Sequence, residues 1–505
     1  MKKMEADVVV IAGGASGLAA AVAAAEKDAS VILFEKSSTT GGAANMGMGP
    51  LAVGSHYQKD QMVDLTVDQA FRVLMDYTHW RVDARLVRKY LDLSGSTIEW
   101  LEGMGIEFLG AFKYFAQSHQ TWHIVKAFGS NKPAERAGSV MAKAMTDRAE
   151  ELGVELYLQT PVKKILTENG KVTGVMAQGP DGEEIIAECS CVIIATGGFG
   201  DNPKMIKEYI GYDWGKDLFS FRIPGVVGDG LNMAWEVGAG KTEVTMEMTF
   251  ETPGITNVYK TLSETVRQPN LMVNLEGKRF YNEEFINNTV FTGNAICRQT
   301  QRCGFTILGD SVIDHYRKNG LDYVTMHHNI KNLDKWDSEL NTYLSGDRVS
   351  DDPLAGLQQE EQKNAHSLYV ADSLEDLAAQ AGIDAKNLID TVEEYNAMCG
   401  KQDTFFNKNP KYLLPIKGPK YYAAKHFPAG YGSLGGIKIN DNMQVLTDSG
   451  KAIPGLYACG TDVCTIFGDS YCFILPGNTM GFALNSGRMA GMNSIDYIDS
   501  DDFVE

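Results

Sequence analysis

The sequence predicts an α/β fold built on a parallel sheet, because short apolar strands alternate with a glycine turn and a helix of small residues. Residues 7–11 (DVVVI) are a run of β-branched residues of the kind buried on both faces of a parallel sheet. Residues 12–17 (AGGASG) predict a turn, and the small, apolar residues 18–25 predict a helix that can lie close to the sheet. A second strand at residues 30–34 (SVILF) completes a β-turn-α-β unit.

The turn of this unit has the residues needed to bind a dinucleotide. Gly14 lets the backbone approach a pyrophosphate, Gly17 permits close packing of the helix on the strand, and the helix N-terminus offers free N–H groups. Glu35, after the second strand, can accept hydrogen bonds from ribose hydroxyls. Ala12 replaces the first glycine of the GxGxxG pattern, which predicts a slightly altered turn. The alternative is a structural glycine turn in another α/β fold.

Segments far along the chain are expected to extend the same sheet. Residues 191–195 (CVIIA) and 455–459 (GLYAC) predict buried strands that are followed by glycines. Residues 156–165 and 171–177 predict a hairpin-like pair of strands. The sequence PGNTMG at 476–481 begins a second helix, whose N-terminus would stabilise negative charge.

The composition excludes several classes of protein. The chain has 505 residues and a formal net charge of -19, and an acidic surface repels nucleic acid and anionic lipid. Its eight cysteines form no CxxC pair, so neither a zinc ribbon nor any other metal site is predicted. Carboxylates and glycines interrupt the N-terminal apolar run that imitates a secretory signal. We therefore expect a soluble, cytoplasmic protein with free thiols that binds neither nucleic acid nor membrane.

Several longer motifs resemble one known family. In chain order they are TPVKKILTENGKVTGV (160–175), IIATGGFG (193–200), GDG (228–230), NLEGKRFYNE (274–283), SLEDLAAQAGIDAKNLIDTVEEYNA (373–397) and PGLYACG (454–460). With the opening unit, they resemble the FAD-dependent fumarate reductase/succinate dehydrogenase flavoprotein family, which also includes 3-ketosteroid Δ1-dehydrogenase. The resemblance extends over almost the whole chain. Near the C-terminus it is closer to the ketosteroid dehydrogenase branch than to fumarate reductase.

The resemblance implies a Rossmann-like FAD-binding domain in two chain segments, 1–238 and 415–505, with an inserted α+β capping domain at 239–414. It implies non-covalent FAD, since no covalent-flavin signal is present. The electron donor stays open between NAD(P)H and a separate reductase. The FAD-binding residues expected from the resemblance and the nucleotide pattern are Gly14, Ala15, Ser16, Gly17, Glu35, Lys36, Gly41, Gly42, Ala43, Ala44, Val162, Ala195, Thr196, Gly197, Asp229, Gly460, Asp462, Asn478, Thr479 and Met480.

The polar residues that hold dicarboxylates in the family's fumarate reductases are replaced here. In alignments of the local motifs, the arginine that acts as acid corresponds to Asn287. The two histidines correspond to Thr252 and Gly432, and the clamping arginine corresponds to Ile474. A buried carboxylate without a cation or several hydrogen bonds costs several kcal/mol. Fumarate, succinate and urocanate are therefore poor candidates for the substrate.

The replacements predict an aromatic pocket that suits a flat, neutral ring compound. Because the family's carbonyl-polarising tyrosine corresponds to Phe473, an oxyanion-type site is expected at the Gly477 N–H with Tyr431 or Tyr471. Glu264 and Arg267 (ETVR) remain as a relay-like pair. Either a tyrosine or a water held by this pair would move the proton. The substrate contacts expected from these arguments are Phe250, Thr252, Asn287, Phe473 and Ile474.

The favoured hypothesis is an FAD-dependent oxidoreductase, preferentially a reductase, that transfers hydride at a C=C/C–C bond of a neutral, hydrophobic ring compound. Ketosteroids and isoflavonoids are the expected substrate classes, including reduction of the tetrahydrodaidzein type. Two alternatives stay open. One is a non-catalytic flavin subunit for electron transfer or sensing, which would need an exposed flavin edge. The other is an FAD oxidase, which would turn over oxygen.

Overall fold

The computed structural model describes residues 1–133, 135–219, 223–256, 258–324, 330–346 and 365–500. The chain divides into two compact units. The first unit contains Met1–Ile210, Ile223–Met246 and Gly432–Glu505, and the second contains Gly211–Arg222 and Glu247–Tyr431. The domain limits expected from the resemblance, at residues 238 and 414, stay a prediction.

The described residues alternate between strands and helices along most of the chain. The strands are β1 (Lys2–Ile11), β2 (Val31–Phe34), β3 (Phe108–Phe112), β4 (Trp122–Val125), β5 (Glu155–Tyr157), β6 (Val162–Glu168), β7 (Lys171–Gln178), β8 (Glu184–Ile194), β9 (Thr245–Glu251), β10 (Leu271–Val273), β11 (Gly304–Gly309), β12 (Leu368–Ala371), β13 (Tyr421–Leu434), β14 (Gln444–Leu446) and β15 (Ala452–Ala458). The helices are α1 (Ala15–Ala25), α2 (His56–Asp60), α3 (Val67–Tyr77), α4 (Ala84–Glu102), α5 (Gly138–Glu151), α6 (Pro203–Met205), α7 (Asp229–Glu236), α8 (Lys260–Val266), α9 (Thr289–Cys297), α10 (Asp310–Asn319), α11 (Trp336–Ser345), α12 (Leu374–Ala381), α13 (Ala385–Met398) and α14 (Asn478–Ile498).

The first unit is built on an eight-stranded sheet with the order β14-β15-β8-β1-β2-β5, and β7 and β6 follow from β8. The pairs β15–β8, β8–β1, β1–β2 and β2–β5 are parallel. The strands β14, β7 and β6 pair in the antiparallel sense. The α/β fold with a parallel sheet, predicted from the sequence, is therefore confirmed.

The second unit has its own sheet and its own core. Its five strands follow the order β10-β11-β13-β12, with β9 on β13. The core beside this sheet consists of large side chains that are almost completely buried, such as Trp336, Tyr316, Tyr395 and Phe305. Burial of aromatic side chains of this size provides much of the hydrophobic stabilisation of a core.

Helices α1 and α14 approach each other through glycines. A Cβ atom at Gly487 would lie 2.1 Å from the carbonyl oxygen of Ser16, and one at Gly491 would lie 2.3 Å from that of Ala20. A Cβ atom at Gly17 would lie 1.9 Å from the carbonyl oxygen of Ala12. Larger side chains at these positions would push α1 away from α14 and from the sheet.

The elements predicted around the nucleotide turn are present. Helix α1 consists of buried small residues, and the hairpin of β6 and β7 turns at Asn169 and Gly170. Ala12 has a φ of 82°, in the region where glycine is favoured. The altered turn expected at this alanine therefore takes the form of a left-handed backbone, which costs about 1 kcal/mol in a residue with a Cβ.

All eight cysteines are free, and each is buried or half-buried. Burial raises the pKa of Cys189 to about 12, and it also raises the pKa values of Cys191, Cys459 and Cys472. These side chains are therefore neutral thiols at ordinary pH. Among the helices of the described ranges, none is long and apolar enough to cross a membrane.

We expect Gly491→Ala to lower the free energy of unfolding by about 1–3 kcal/mol, because the methyl group would overlap the carbonyl oxygen of Ala20. Urea unfolding followed by circular dichroism measures this change. Gly432→Ala is the control, since a Cβ atom there would have no neighbour within 4 Å. Equal stabilities of the two variants would contradict the close packing of α1 and α14.

Candidate cofactor and substrate sites

The predicted dinucleotide turn lies beside the second predicted glycine segment. Gly14 forms a β-bridge with Gly41, and the Gly41 N–H donates to the carbonyl of Gly13 at 2.8 Å. A Cβ atom at Gly14 would have no neighbour within 4 Å, so space remains beside the N-terminus of α1. The structure thus brings the predicted residues 14–17 and 41–44 together around an opening at a helix N-terminus, as a pyrophosphate requires.

Glu35 is buried beside this turn. One carboxylate oxygen accepts a hydrogen bond from the Gly13 N–H and the other from the Ser37 N–H, both at 2.7 Å. A carboxylate has about four acceptor sites, so each oxygen of Glu35 retains one for a ribose hydroxyl. The predicted residues Lys36 and Asp229 form an ion pair with each other.

Asp462 forms hydrogen bonds with the backbone of the loop that follows β8. Its buried carboxylate accepts hydrogen bonds from the N–H groups of Thr196 (2.6 Å), Gly197 (3.1 Å) and Gly198 (2.8 Å), and from the Thr196 hydroxyl. The Gly460 N–H, two residues before Asp462, donates to Ser486 on α14. Asp462 therefore fixes the backbone of residues 196–198, and its direct contact with a cofactor stays a prediction.

The N-terminus of α14 has a buried donor that lacks a partner. Asn478 is fully buried, and its Oδ1 atom accepts a hydrogen bond from the Tyr90 hydroxyl at 2.8 Å. Its Nδ2 atom has no hydrogen-bond partner in the described part of the chain. An unpaired buried amide costs free energy unless a ligand accepts from it. A carbonyl oxygen of the flavin pyrimidine ring would satisfy this atom, so Asn478 fits the predicted cofactor.

A group of aromatic side chains lies next to this helix N-terminus. We call Tyr114, Trp122, Tyr471 and Phe473, together with Ile474, the aromatic face. The Phe473 ring lies 4.6 Å from the Tyr114 ring and 6.0 Å from the Tyr471 ring, between centroids. The Tyr471 hydroxyl accepts a hydrogen bond from the Thr479 N–H at 3.2 Å. The aromatic face thus adjoins Gly477, where a Cβ atom would lie 2.5 Å from Trp122 Cδ1.

The structure adds residues to this face that the sequence did not indicate. Tyr114, Trp122 and His119 belong to the segment around β3 and β4, far from Ile474 along the chain. The His119 N–H donates to the Ile474 carbonyl at 2.8 Å. Burial, followed by the charge of Lys113, lowers the pKa of His119. Only the pairing of distant segments reveals these neighbours, because no local motif connects them.

In the second unit, Arg267 lies against Phe250. The Arg267 guanidinium donates to the Phe250 carbonyl at 2.6 Å, and its carbon lies 4.6 Å from the centre of the Phe250 ring. The Nε atom of Arg267 is buried and has no hydrogen-bond partner among the described residues. Glu264 is buried on the preceding helix, α8. Asn287 ends a short 3-10 helix, and Tyr431 near the end of β13 is about half exposed.

A buried histidine that the sequence did not indicate, His426, holds the predicted residue Thr252. Its Nδ1 atom lies 2.8 Å from the Thr252 hydroxyl, and its Nε2 atom lies 2.7 Å from the Thr306 hydroxyl. Burial, with a smaller effect of the Arg267 charge, lowers the pKa of His426 to about 3. This imidazole is therefore neutral at ordinary pH.

The GKRFYNE motif forms a buried ion network in the second unit. Arg279 contacts Glu283 at 2.7 Å and Asp403 at 3.0 Å, and Lys408 contacts Glu283 at 3.3 Å. Burial by itself would raise the pKa of Asp403. The hydrogen bonds from Arg279 and from two backbone N–H groups outweigh this effect and lower the pKa to about 2. Two positive and two negative charges compensate one another here, so loss of any one of them would leave an uncompensated buried charge.

Comparison with known proteins identifies the class of flavoprotein. The model of the FAD binding domain family matches residues 7–478, and the chain belongs to this family. The cofactor predicted from the resemblance, FAD, is thereby confirmed, and the protein is an FAD-dependent oxidoreductase.

Its relatives include enzymes with different substrates. A vinyl phenol reductase from Lactiplantibacillus plantarum is 31% identical over 467 residues, which are 90% of this chain and 89% of that protein. An NADH:acrylate oxidoreductase from Vibrio harveyi is 27% identical over 420 residues, or 82% of this chain but only 37% of that protein. The structure of 3-ketosteroid-Δ4-(5α)-dehydrogenase from Rhodococcus jostii RHA1 has a TM-score of 0.73 at 21% identity, covering 98% of this chain and 97% of that one. This similarity shows that the fold is shared.

We expect Glu35→Gln to raise the Kd for FAD roughly 10- to 100-fold, because the new NH₂ group would face one of two backbone N–H donors and leave it unpaired. Titration of the apoprotein with FAD, followed by flavin fluorescence, measures the Kd. Glu155→Gln on β5 is the control, since Glu155 is exposed. An unchanged Kd for Glu35→Gln would argue against a ribose contact at this carboxylate.

Acid should destabilise the protein through the buried histidines His123 and His426. The pKa of His123 is lowered to about 4 by burial, and that of His426 to about 3. Unfolded histidine takes up a proton near pH 6.5, whereas these folded side chains stay neutral, so stability is lost as the pH falls below about 6.5.

In His426→Gln the free energy of unfolding should fall less steeply with decreasing pH than in the wild-type protein. The difference should be up to about 1.4 kcal/mol per pH unit between about pH 6 and pH 5. Urea unfolding at each pH measures the slope. The exposed His79 provides the control variant His79→Asn, which removes no buried imidazole. If His426→Gln kept the slope of the wild-type protein, the neutral state of His426 would be refuted.

Proposed function

We propose that the protein reduces a C=C bond conjugated to an aromatic ring or a carbonyl group in a small, neutral, apolar compound. The aromatic face beside the N-terminus of α14 is the observation that carries the proposal. When bound, FAD supplies the hydride for such a reduction. We propose that it is bound non-covalently and that NAD(P)H or a separate reductase supplies the electrons.

The uncharged character of the aromatic face supports a neutral substrate. Ile474, in the place of the family's clamping arginine, directly follows Phe473 in the chain. The neighbouring rings of Tyr114, Trp122, Tyr471 and Phe473 present apolar surface. A carboxylate here would lose its hydration without gaining a cation, which costs several kcal/mol. Aromatic walls of this kind instead favour flat rings through stacking and burial.

The relative named vinyl phenol reductase supports an aromatic substrate with a conjugated double bond. Its 31% identity extends over 90% of this chain and 89% of its own length. A vinyl phenol is neutral, flat and apolar, as the aromatic face requires. We therefore place vinyl phenols beside ketosteroids and isoflavonoids among the substrates to be tested.

The residues of the site have separate roles in the proposal. For a substrate whose C=C bond is conjugated to a carbonyl group, the Gly477 N–H, at the start of α14, and the Tyr471 hydroxyl would donate hydrogen bonds to the carbonyl oxygen and stabilise the enolate charge that develops on it. The Thr479 N–H donates to the Tyr471 hydroxyl oxygen, which ties this tyrosine to the start of α14. Arg267 and Glu264 would deliver the proton, with Tyr431 as the alternative donor.

The experiment is anaerobic reoxidation of the reduced holoenzyme. The flavin is reduced with dithionite, mixed with 4-vinylphenol, a ketosteroid, an isoflavonoid or fumarate, and followed by its visible absorption. We expect a neutral ring compound to restore the oxidised spectrum. Fumarate should react at least roughly 100-fold more slowly, because the aromatic face offers its carboxylates no cation.

The variant Ile474→Arg provides the matched comparison, since it restores a cation at one position of the aromatic face. It should react faster with fumarate and more slowly with 4-vinylphenol than the wild-type protein. Rapid reoxidation of the wild-type flavin by fumarate, or no reaction with any neutral ring compound, would show that the proposal is wrong.

A further inference from the structure

His426 is the centre of a closed ring of contacts in the second unit. Its Nε2 atom contacts the Thr306 hydroxyl, and that hydroxyl contacts the carbonyl of Val266 at 3.1 Å. The next residue, Arg267, donates to the carbonyl of Phe250, and the Phe250 ring packs edge-on against the His426 ring at 5.4 Å. Four separate parts of the chain therefore meet at this imidazole: β9, the end of α8, β11 and β13.

The direction of each hydrogen bond in this ring is determined. The Val266 carbonyl can only accept, so the single hydroxyl proton of Thr306 points to it. The neutral imidazole must then donate from Nε2 to Thr306, and its Nδ1 atom must accept from the Thr252 hydroxyl. All three contacts are satisfied in this one arrangement of protons.

The position needs a side chain with a donor at one end, an acceptor at the other and a flat body. A neutral histidine supplies all three, since its ring also packs against Phe250. A positive charge would be unfavourable here, because the Arg267 guanidinium also contacts the Phe250 ring and its charge lowers the pKa of His426. The side chain is completely buried, so water does not compete for its two hydrogen bonds.

We propose that His426 is a positioning residue that holds Arg267 against Phe250 and thereby sets the rate of proton delivery in the reduction. The inference rests on the proposed function, in which Arg267 belongs to the proton path. His426 acts through two routes: Thr306 fixes the carbonyl directly before Arg267, and the imidazole ring fixes Phe250, whose carbonyl accepts from Arg267. His426 itself touches neither substrate nor cofactor in this proposal.

Two substitutions separate the hydrogen bonds of His426 from its packing. His426→Phe keeps a flat aromatic ring but removes both polar atoms. His426→Gln keeps one donor and one acceptor without a ring that can be protonated. The control is His123→Phe in the first unit, because His123 is also completely buried and also has two hydrogen-bond partners, the Ser55 hydroxyl and the Thr121 carbonyl.

The measurement is the rate of flavin reoxidation by 4-vinylphenol, or by the most reactive compound of the panel, in H₂O and in D₂O. In His426→Phe the rate at saturating substrate should fall on the order of 10- to 100-fold, because a small misplacement of a proton donor slows transfer strongly. The half-saturating concentration should change less than about 3-fold, since ground-state binding is not affected. The solvent isotope effect should increase as the proton step becomes limiting.

His426→Gln should recover most of the rate, and His123→Phe should lose stability but keep the wild-type rate and isotope effect. If His426→Phe and His123→Phe slow the reaction equally, or if His426→Phe raises only the half-saturating concentration, the proposal is refuted.

A crystal structure of His426→Phe tests the inference without any substrate. We expect the guanidinium of Arg267 to leave the Phe250 carbonyl, and an unchanged hydrogen bond would overturn the positioning role. If no compound reoxidises wild-type flavin, the proposed function fails, while this structure still decides whether His426 positions Arg267.

Discussion

Direct contact between backbones at Ser16 is the constraint on which the first unit depends. The carbonyl of Ser16 lies where a side chain of Gly487 would be, and its hydroxyl lies where a side chain of Gly460 would be. Gly460 and Gly487 lie more than 400 positions from Ser16 in the chain, and they can approach it this closely because they lack side chains. The contact fixes α1 against α14, and with them the two helix N-termini at Gly14 and Gly477. A long ligand that uses both termini needs them at a constant separation.

The second unit depends on buried polar groups that satisfy one another. Its Arg279 network balances two charges of each sign, and its His426 network uses a neutral ring to join hydroxyls and a carbonyl. Each polar atom left unpaired in such surroundings would cost free energy, so these networks specify one arrangement of the surrounding segments. Among the described residues, the Nη1 atom of Arg279 and the Nε atom of Arg267 remain unpaired. For Arg267 the unpaired atom agrees with the role in proton transfer that we propose.

The sequence was informative where a local pattern has one physical meaning. A β-branched strand, a glycine turn and a small-residue helix predicted the dinucleotide site, and the resemblance named FAD correctly. The sequence was less informative where function depends on segments that are distant in the chain. Tyr114 and Trp122 join Phe473 only through pairing of distant elements, and no local motif in β13 singles out His426. Its partners Thr252 and Thr306 lie on other strands or loops, so no spacing rule connects them.

The same reasoning applies to Asp462, which was expected to contact the cofactor. Its carboxylate is used by three backbone N–H groups of residues 196–198, a pairing that spans the chain and cannot be read from the residues around it. Glycine-rich motifs predict where a backbone bends. They do not reveal which buried carboxylate keeps that bend in place.

The buried thiols give the folded protein a built-in indicator of opening. Because burial keeps these sulfur atoms protonated and inaccessible, a thiol-specific reagent can modify them only in molecules that have locally opened. Cys459 and Cys472 lie in the segment between β15 and α14, whereas Cys303 lies directly before β11 in the other unit. Mass spectrometry of the labelled peptides would therefore measure the rate of local opening in each unit separately, with no engineered probe.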